Sequence, residues 1–156
     1  MENLSSSESL SAHLKKATVE DIPILLEIER SVSGSKIYSP MLDESEWREE
    51  LTKGVVYLIE KDSKVVGSLS YEKKGDDHVY ISGLVIVPEF QGQGIGREVL
   101  TVLLKQFENV KRVDLVTHPD NTVALTLYES LGFVVESRKE DYYGDGEPRL
   151  VLVKNN

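Results

Sequence analysis

Val87-Pro88-Glu89-Phe90-Gln91-Gly92-Gln93-Gly94-Ile95-Gly96-Arg97 is the stretch on which the reading of this chain turns. The run before it, 78–87, has strand composition and is stopped by Pro88. After it, Ile95, Val99, Leu103 and Phe107 recur at helical spacing and predict a helix over 94–108. Three glycines within five residues therefore fall between a strand and a helix. Glycine removes side chains where backbone must approach something closely. A helix N-terminus offers unpaired N–H groups and the positive end of its dipole. Gly92, Gln93, Gly94, Ile95, Gly96 and Arg97 thus predict an anion seat fit for a pyrophosphate. Arg97 either adds charge there or is an ordinary solvated helix residue. The turn is not a P-loop, since no Gly-Lys-Ser/Thr follows. It is not the dinucleotide fingerprint, since the spacing is Gly-x-Gly-x-Gly. A plain glycine loop at a helix start is the competing reading.

Downstream, 112–117 reads as a strand, 122–131 as a helix, and 133–139 and 149–154 as strands. Asp120 or Asn121 can cap that helix and Gly132 can end it. Apolar positions 123, 124, 127 and 131 are expected inward, with Tyr128 at the edge of the stripe. By pattern alone Asn121 is a cap and Tyr128 a core-edge aromatic.

Upstream, 14–17 is a short strand, and Thr18 with Asp21 resembles a capping box before a helix carrying Ile22, Leu25, Leu26, Ile28 and Val32. Residues 33–42 form a loop, and Asp43 caps a short charged helix containing Trp47 and Leu51. Strands 55–61 and 64–72 form a hairpin about Asp62-Ser63, and 73–77 is a polar turn. Hairpins first and a βαβα stretch second predict an α/β (α+β) domain with a mixed sheet over 14–156. The serine-rich residues 1–13 read as a disordered tail.

Composition narrows the function. The 156 residues include no cysteine and three histidines, His13, His78 and His118, so disulfides, thiolates and a zinc site are not expected. His13 and His78 read as tail and turn residues. The net charge is −9 with no basic stripe, so no nucleic-acid partner is expected. An acidic surface suits cationic partners such as amines. With no apolar run of membrane length and no signal peptide, the expectation is a cytoplasmic protein without a membrane partner, monomer or homodimer.

Two segments together resemble the GNAT superfamily of N-acetyltransferases. Gln91, Gly94 and Gly96 match its Q/R-x-x-G-x-G/A signature. Asn121, Ala124, Tyr128 and Gly132-Phe133 match its second, with room for one helix and one strand between. Within the superfamily, the chain is most similar to protein N-terminal acetyltransferases of the ribosomal-protein alanine type. That similarity rests on Leu127-Tyr128-Glu129-Ser130-Leu131-Gly132-Phe133 and on Arg138…Tyr142-Tyr143…Asp145-Gly146-Glu147. It departs at Pro148-Arg149, and at Val116, where that group has its catalytic Glu or His five residues before the Asn.

The resemblance implies a central, mostly antiparallel twisted sheet flanked by helices, and acetyl-CoA as co-substrate without a metal. It implies free backbone N–H groups at Leu84, Val85 and Ile86 for the pantetheine and the thioester oxygen. It also implies pyrophosphate on the 92–97 amides, Asn121 on the pantetheine arm, and Tyr142 and Tyr143 over a peptide groove. Tyr128 is the candidate acid for the leaving thiolate. With Val116 unable to serve as base, His118, two residues on and on the same face of an extended segment, is the candidate, with Tyr80 through water as another. The expected reaction is direct acetyl transfer to a primary amine, chiefly a peptide or protein N-terminus. A small amine such as a polyamine or amino acid, or a non-catalytic acyl-CoA sensor, are the alternatives.

Overall fold

Seven strands form one sheet in the order β1-β2-β3-β4-β5-β7-β6 in a computed structural model that describes residues 11–156. They are β1 (His13–Lys16), β2 (Val55–Lys61), β3 (Lys64–Gly75), β4 (His78–Ile86), β5 (Arg112–Thr117), β6 (Val134–Lys139) and β7 (Arg149–Asn155). All neighbours pair antiparallel except β4 and β5, which are parallel. A parallel pair needs a crossover rather than a hairpin, and α3 (Ile95–Gln106) supplies it. The sheet is mixed, as the element order predicts, and mostly antiparallel, as the family resemblance implies.

Helices α1 (Ile22–Ser31) and α2 (Glu44–Lys53) seal one face, where Ile22, Leu25, Ile28 and Trp47 meet Val56 and Leu58. On the other, α3 and α4 (Thr122–Ser130) pack Ile95, Val99, Leu103 and Tyr128 against Leu69, Ile81, Val113 and Leu115. The capping box forms: Asp21 Oδ2 accepts the Thr18 N–H at 2.9 Å, and Thr18 Oγ1 accepts from Glu20 N–H at 3.3 Å. It starts a 3-10 turn, Val19–Asp21, that runs straight into α1. The β2–β3 turn places both Asp62 (φ 52°) and Ser63 (φ 66°) in the left-handed region, as a two-residue hairpin of type I′ requires.

Four expectations change. β3 does not stop at Glu72 but pairs on to Gly75, Lys73 opposite Val79, because ladder hydrogen bonds are indifferent to polar side chains at an exposed strand end. His13 lies in β1 opposite Glu60 rather than in a tail; residues 1–10 lie outside the described residues. His78 is a strand residue rather than a turn one: it opens β4, where the 78–87 strand places it, with Nε2 2.9 Å from Asp114 Oδ1. Val123 is 80% exposed and Tyr128 is the buried residue of α4. Five residues at ~100° each put Val123 about 140° around the helix from Tyr128, so the inward stripe runs through Ala124, Tyr128 and Leu131.

Candidate active site

The β4–β5 pairing ends at Ile81↔Leu115, although β4 continues to Ile86 and β5 to Thr117. Just there β3 pairs Ser70 with Gly83 and Tyr71 with Ile81, which leaves Ser82 as an extra residue on β4. Such a bulge bends its strand and increases the local twist. β4 therefore parts from β5 while Leu84, Val85 and Ile86 stay paired with Leu69, Ser68 and Gly67. The amides of this stretch that do not face β3 open onto the gap.

The glycine turn begins where the splayed strand ends. Gln91 Nε2 donates to the Ile86 carbonyl at 2.8 Å and ties the turn to β4, while Lys61 Nζ reaches Gln93 Oε1 at 3.3 Å. Gly92 (φ 80°) and Gly94 (φ 79°) are left-handed, and a Cβ at either would meet nothing within 4 Å. Backbone conformation, not a close neighbour, requires glycine at these two positions. At Gly96 a Cβ would make ordinary contact, 3.4 Å from Leu127 and 3.8 Å from Leu84. Gly94 is the N-cap of α3, so the first-turn amides of Ile95, Gly96 and Arg97 have no intrahelical partner, and the Arg97 side chain is exposed beside them.

Across the gap, Asn121 Oδ1 caps α4 by accepting the Ala124 N–H at 3.2 Å, which leaves its amide nitrogen for another partner. Tyr128 is packed edge-on to Phe133 at 5.9 Å. Burial pushes its phenol up to about 12, with Tyr38 adding to the shift. His118 is buried. Its Nδ1 accepts the Asp120 N–H at 2.9 Å, so the proton sits on Nε2, which donates to Glu147 Oε1 at 2.7 Å. Both ring nitrogens are engaged, and no lone pair is left for the amine that the sequence assigned to this ring.

Val85, Val116, Asn121 and Tyr128 also line a cleft of about 140 Å³ that continues onto the α1–α2 face. Tyr38, Pro40 and Met41 of the 33–42 loop form one wall; Tyr143 and Arg149 form another. Lys36 Nζ meets Asp120 Oδ2 at 2.9 Å and bridges the first wall to the turn before α4. Tyr143 stacks edge-on with Tyr142 at 4.7 Å and lies 5.1 Å from the buried Arg149 guanidinium, but Tyr142 does not line the cleft. Arg149 donates to Asp145 Oδ2 at 3.3 Å. The Tyr80 phenol is driven upward, first by burial and then by Tyr143 and Tyr142, so it is a poor proton acceptor.

Two buried carboxylates in this cleft escaped the sequence reading. Glu29 accepts the Met41 N–H at 2.7 Å, and Trp47 Nε1 donates to the Met41 carbonyl at 3.0 Å, so both helices hold the loop. Burial pushes Glu29 up to about 7 against the Met41 hydrogen bond. Glu50 Oε2 accepts from Ser82 Oγ at 2.7 Å. Ser82 Oγ also lies 2.9 Å from Ser70 Oγ; one hydroxyl carries one proton, so Ser70 donates in that contact. Burial pushes Glu50 up to about 7; Ser82 opposes the shift and the adjoining Glu72 adds to it. Gly54 lets α2 lie this close to β3, since a Cβ there would come within 2.5 Å of the Tyr71 carbonyl. The available signal was spacing: Glu29 follows Leu25 by four, and Glu50 follows Trp47 by three, each on the buried stripe of its helix.

Among the described residues, no group of three or more His, Asp and Glu can hold a metal ion, and no helix is long and apolar enough to cross a membrane. The sequence profile of the Acetyltransferase (GNAT) family matches residues 22–133. The chain belongs to the GNAT acetyltransferase family. Among curated GNAT relatives, it is 29% identical over 146 residues to a putative [ribosomal protein bS18]-alanine N-acetyltransferase of Bacillus subtilis, covering 90% of this chain and 93% of that protein. It is 33% identical over 81 residues to the Escherichia coli [ribosomal protein bS18]-alanine N-acetyltransferase, covering 49% of this chain and 55% of that one. A 73-residue match at 36% identity covers 47% of this chain and only 21% of the UPF0157 protein YqkA of B. subtilis. The same GNAT fold is seen in the crystal structure of the E. coli ribosomal-protein-S18-alanine N-acetyltransferase. There the TM-score is 0.79 at 22% identity, over 92% of this chain and 93% of that chain.

Proposed function

We propose that this chain transfers acetyl from acetyl-CoA to a primary amine, chiefly the α-amine of a peptide or protein N-terminus. The observation that carries this reading is the parted β4–β5 pair, with a glycine-rich helix start at one end and a cleft walled by Tyr128 at the other. The donor set suits a pyrophosphate thioester: two left-handed glycines with open space about them, first-turn amides and Arg97 for phosphate. Gln91, Gly92, Gln93, Gly94, Ile95, Gly96 and Arg97 hold the diphosphate end, and Leu84, Val85, Ile86 and Asn121 the arm. When bound, acetyl-CoA supplies an activated acyl group whose leaving thiolate must be protonated.

Tyr128 donates that proton. Its raised pKa keeps the phenol protonated across the working range, and the same dry surroundings raise the thiol it serves. His118, bonded at both nitrogens, positions Glu147 and the Asp120 turn instead of taking a proton. Tyr143, beside Arg149, borders the acceptor's path, with Tyr142 as its support.

A peptide acceptor is supported by the position of the cleft between the 33–42 and 140–148 loops, and by the activity named for the bacterial relatives. The test is thiol release from acetyl-CoA with short peptides of varied first residue, set against polyamines and free amino acids. Peptides should give the highest kcat/KM. Turnover confined to a small amine replaces the acceptor assignment, and saturable acetyl-CoA binding without transfer to any amine replaces the enzyme assignment.

A further inference from the structure

The sheet leaves a chemical gap at Val116 and fills it from the opposite wall. Val116 lines the cleft without a titratable group, and His118 has no free lone pair. An amine reaching a thioester arrives largely as ammonium, since a free α-amino group has a pKa of about 7.7–8.0. Some group must take one proton before nitrogen can attack.

Glu50 meets the geometric demands. It is 5% exposed, lines the same cleft as Tyr128 and Val85, and is bonded to Ser82, the bulge residue at which β4 leaves β5. Helix α2 is brought there by the close approach at Gly54. The Ser70–Ser82 chain delivers a single hydroxyl proton to Oε2, and the Glu72 carboxylate shares a hydrogen bond with the same Glu50 side chain. Resting on the acetyltransferase reading above, we propose that Glu50 is the proton acceptor for the incoming ammonium group, oriented by Ser82.

Protons and bonds balance as follows. R–NH3⁺ gives one proton to the Glu50 carboxylate. The neutral amine forms the C–N bond at the thioester carbon, and the C–S bond breaks. Tyr128 protonates the sulfur and is restored by the proton lost from the nitrogen of the new amide. Glu50 returns its proton to solvent.

The surroundings fit this role. Glu72 on β3 adjoins Glu50; burial favours its neutral form, but the Lys74 hydrogen bond and Glu50 outweigh that and keep it charged. Lys53 on the same helix reaches Glu72 at 3.8 Å. Glu29 of α1, Tyr38, Tyr143, Arg149 of β7 and His118 also line the cleft. Glu29 is committed to the Met41 N–H and Arg149 to Asp145. Glu50 thus carries the proton on and off while Glu72 holds the fixed negative charge.

The decisive experiment compares kcat/KM–pH profiles of wild type, Glu50→Gln, Glu29→Gln and Ser82→Ala on the best acceptor in the panel above, with saturating acetyl-CoA. Glutamine preserves the shape of Glu50 and its acceptor for Ser82. Glu50→Gln should lose about 10²–10⁴-fold at pH 7, keep its acetyl-CoA affinity by calorimetry, and lose the acid limb near pH 7. Ser82→Ala should move that limb to higher pH, because the hydroxyl favours the charged carboxylate. An unchanged limb in Glu50→Gln, or its removal by Glu29→Gln instead, overturns the proposal. If the best acceptor is a small amine, the peptide reading fails while the Glu50 comparison is read on that amine.

Discussion

On one side of the gap between β4 and β5, a continuous segment, 82–97, supplies a strand edge, a turn and a helix start. On the other, the cleft walls come from α1, α2, the 33–42 loop, β5 and the 140–148 loop. The first side works with backbone N–H groups, whose charge does not change with pH and whose placement follows from φ and ψ. The second works with side chains that titrate and that depend on distant elements for position. Binding a constant cofactor draws chiefly on the former, with Arg97 and Asn121 added; choosing an acceptor and moving its protons draws chiefly on the latter. Most substitutions on one side should therefore leave the other intact.

Substitutions test that independence. Tyr128→Phe keeps the ring in its packing against Phe133 but removes the donor. A kcat loss of about 10²–10⁴-fold, with acetyl-CoA affinity unchanged by calorimetry, is expected, and an unchanged kcat makes Tyr128 a packing residue. Gly94→Val is the converse. A β-branched residue at φ 79° strains the turn by about 1–3 kcal/mol, or roughly tenfold to hundredfold in acetyl-CoA affinity. A folded variant with wild-type affinity would put the phosphates elsewhere. His118→Ala should have the smallest effect: about a fivefold rise in acceptor KM, near 1 kcal/mol of lost hydrogen bonding. Its acid limb should keep the wild-type midpoint; a displaced limb would return proton transfer to this ring.

How far the sequence revealed these two sides follows from the same contrast. The glycine turn is local: strand, Pro88, glycines and apolar stripe lie within thirty residues, 78–107, and the structure finds the turn between β4 and α3 where that pattern puts it. The hairpin at Asp62-Ser63 and the parallel β4–β5 pair were legible for the same reason. The cleft was not. Ser68 and Ser70 alternate with apolar neighbours on β3, as solvent-facing positions do, yet α1 and α2 bury them. His118 was placed near the gap, but its partner Glu147 is 29 residues away and joins it only through the β6–β7 connection. Glu50 sits among Glu44, Glu46 and Glu49, and only its step from Trp47 sets it apart.

The β2–β3 turn bears on how much alteration the chain tolerates. Asp62 and Ser63 hold left-handed backbone that Asn and Gly adopt at lower cost, at the opposite end of those strands from the gap where Ser82 and Glu50 meet. Asp62→Asn with Ser63→Gly should add about 1 kcal/mol of stability, seen as a rise of roughly 2–4 °C in Tm, with kinetics unchanged. That reserve makes damaging cleft variants measurable: a Glu50 or Tyr128 substitution that would lower the folded fraction in the native background can be assayed in a reinforced one, with catalytic loss read separately from loss of protein.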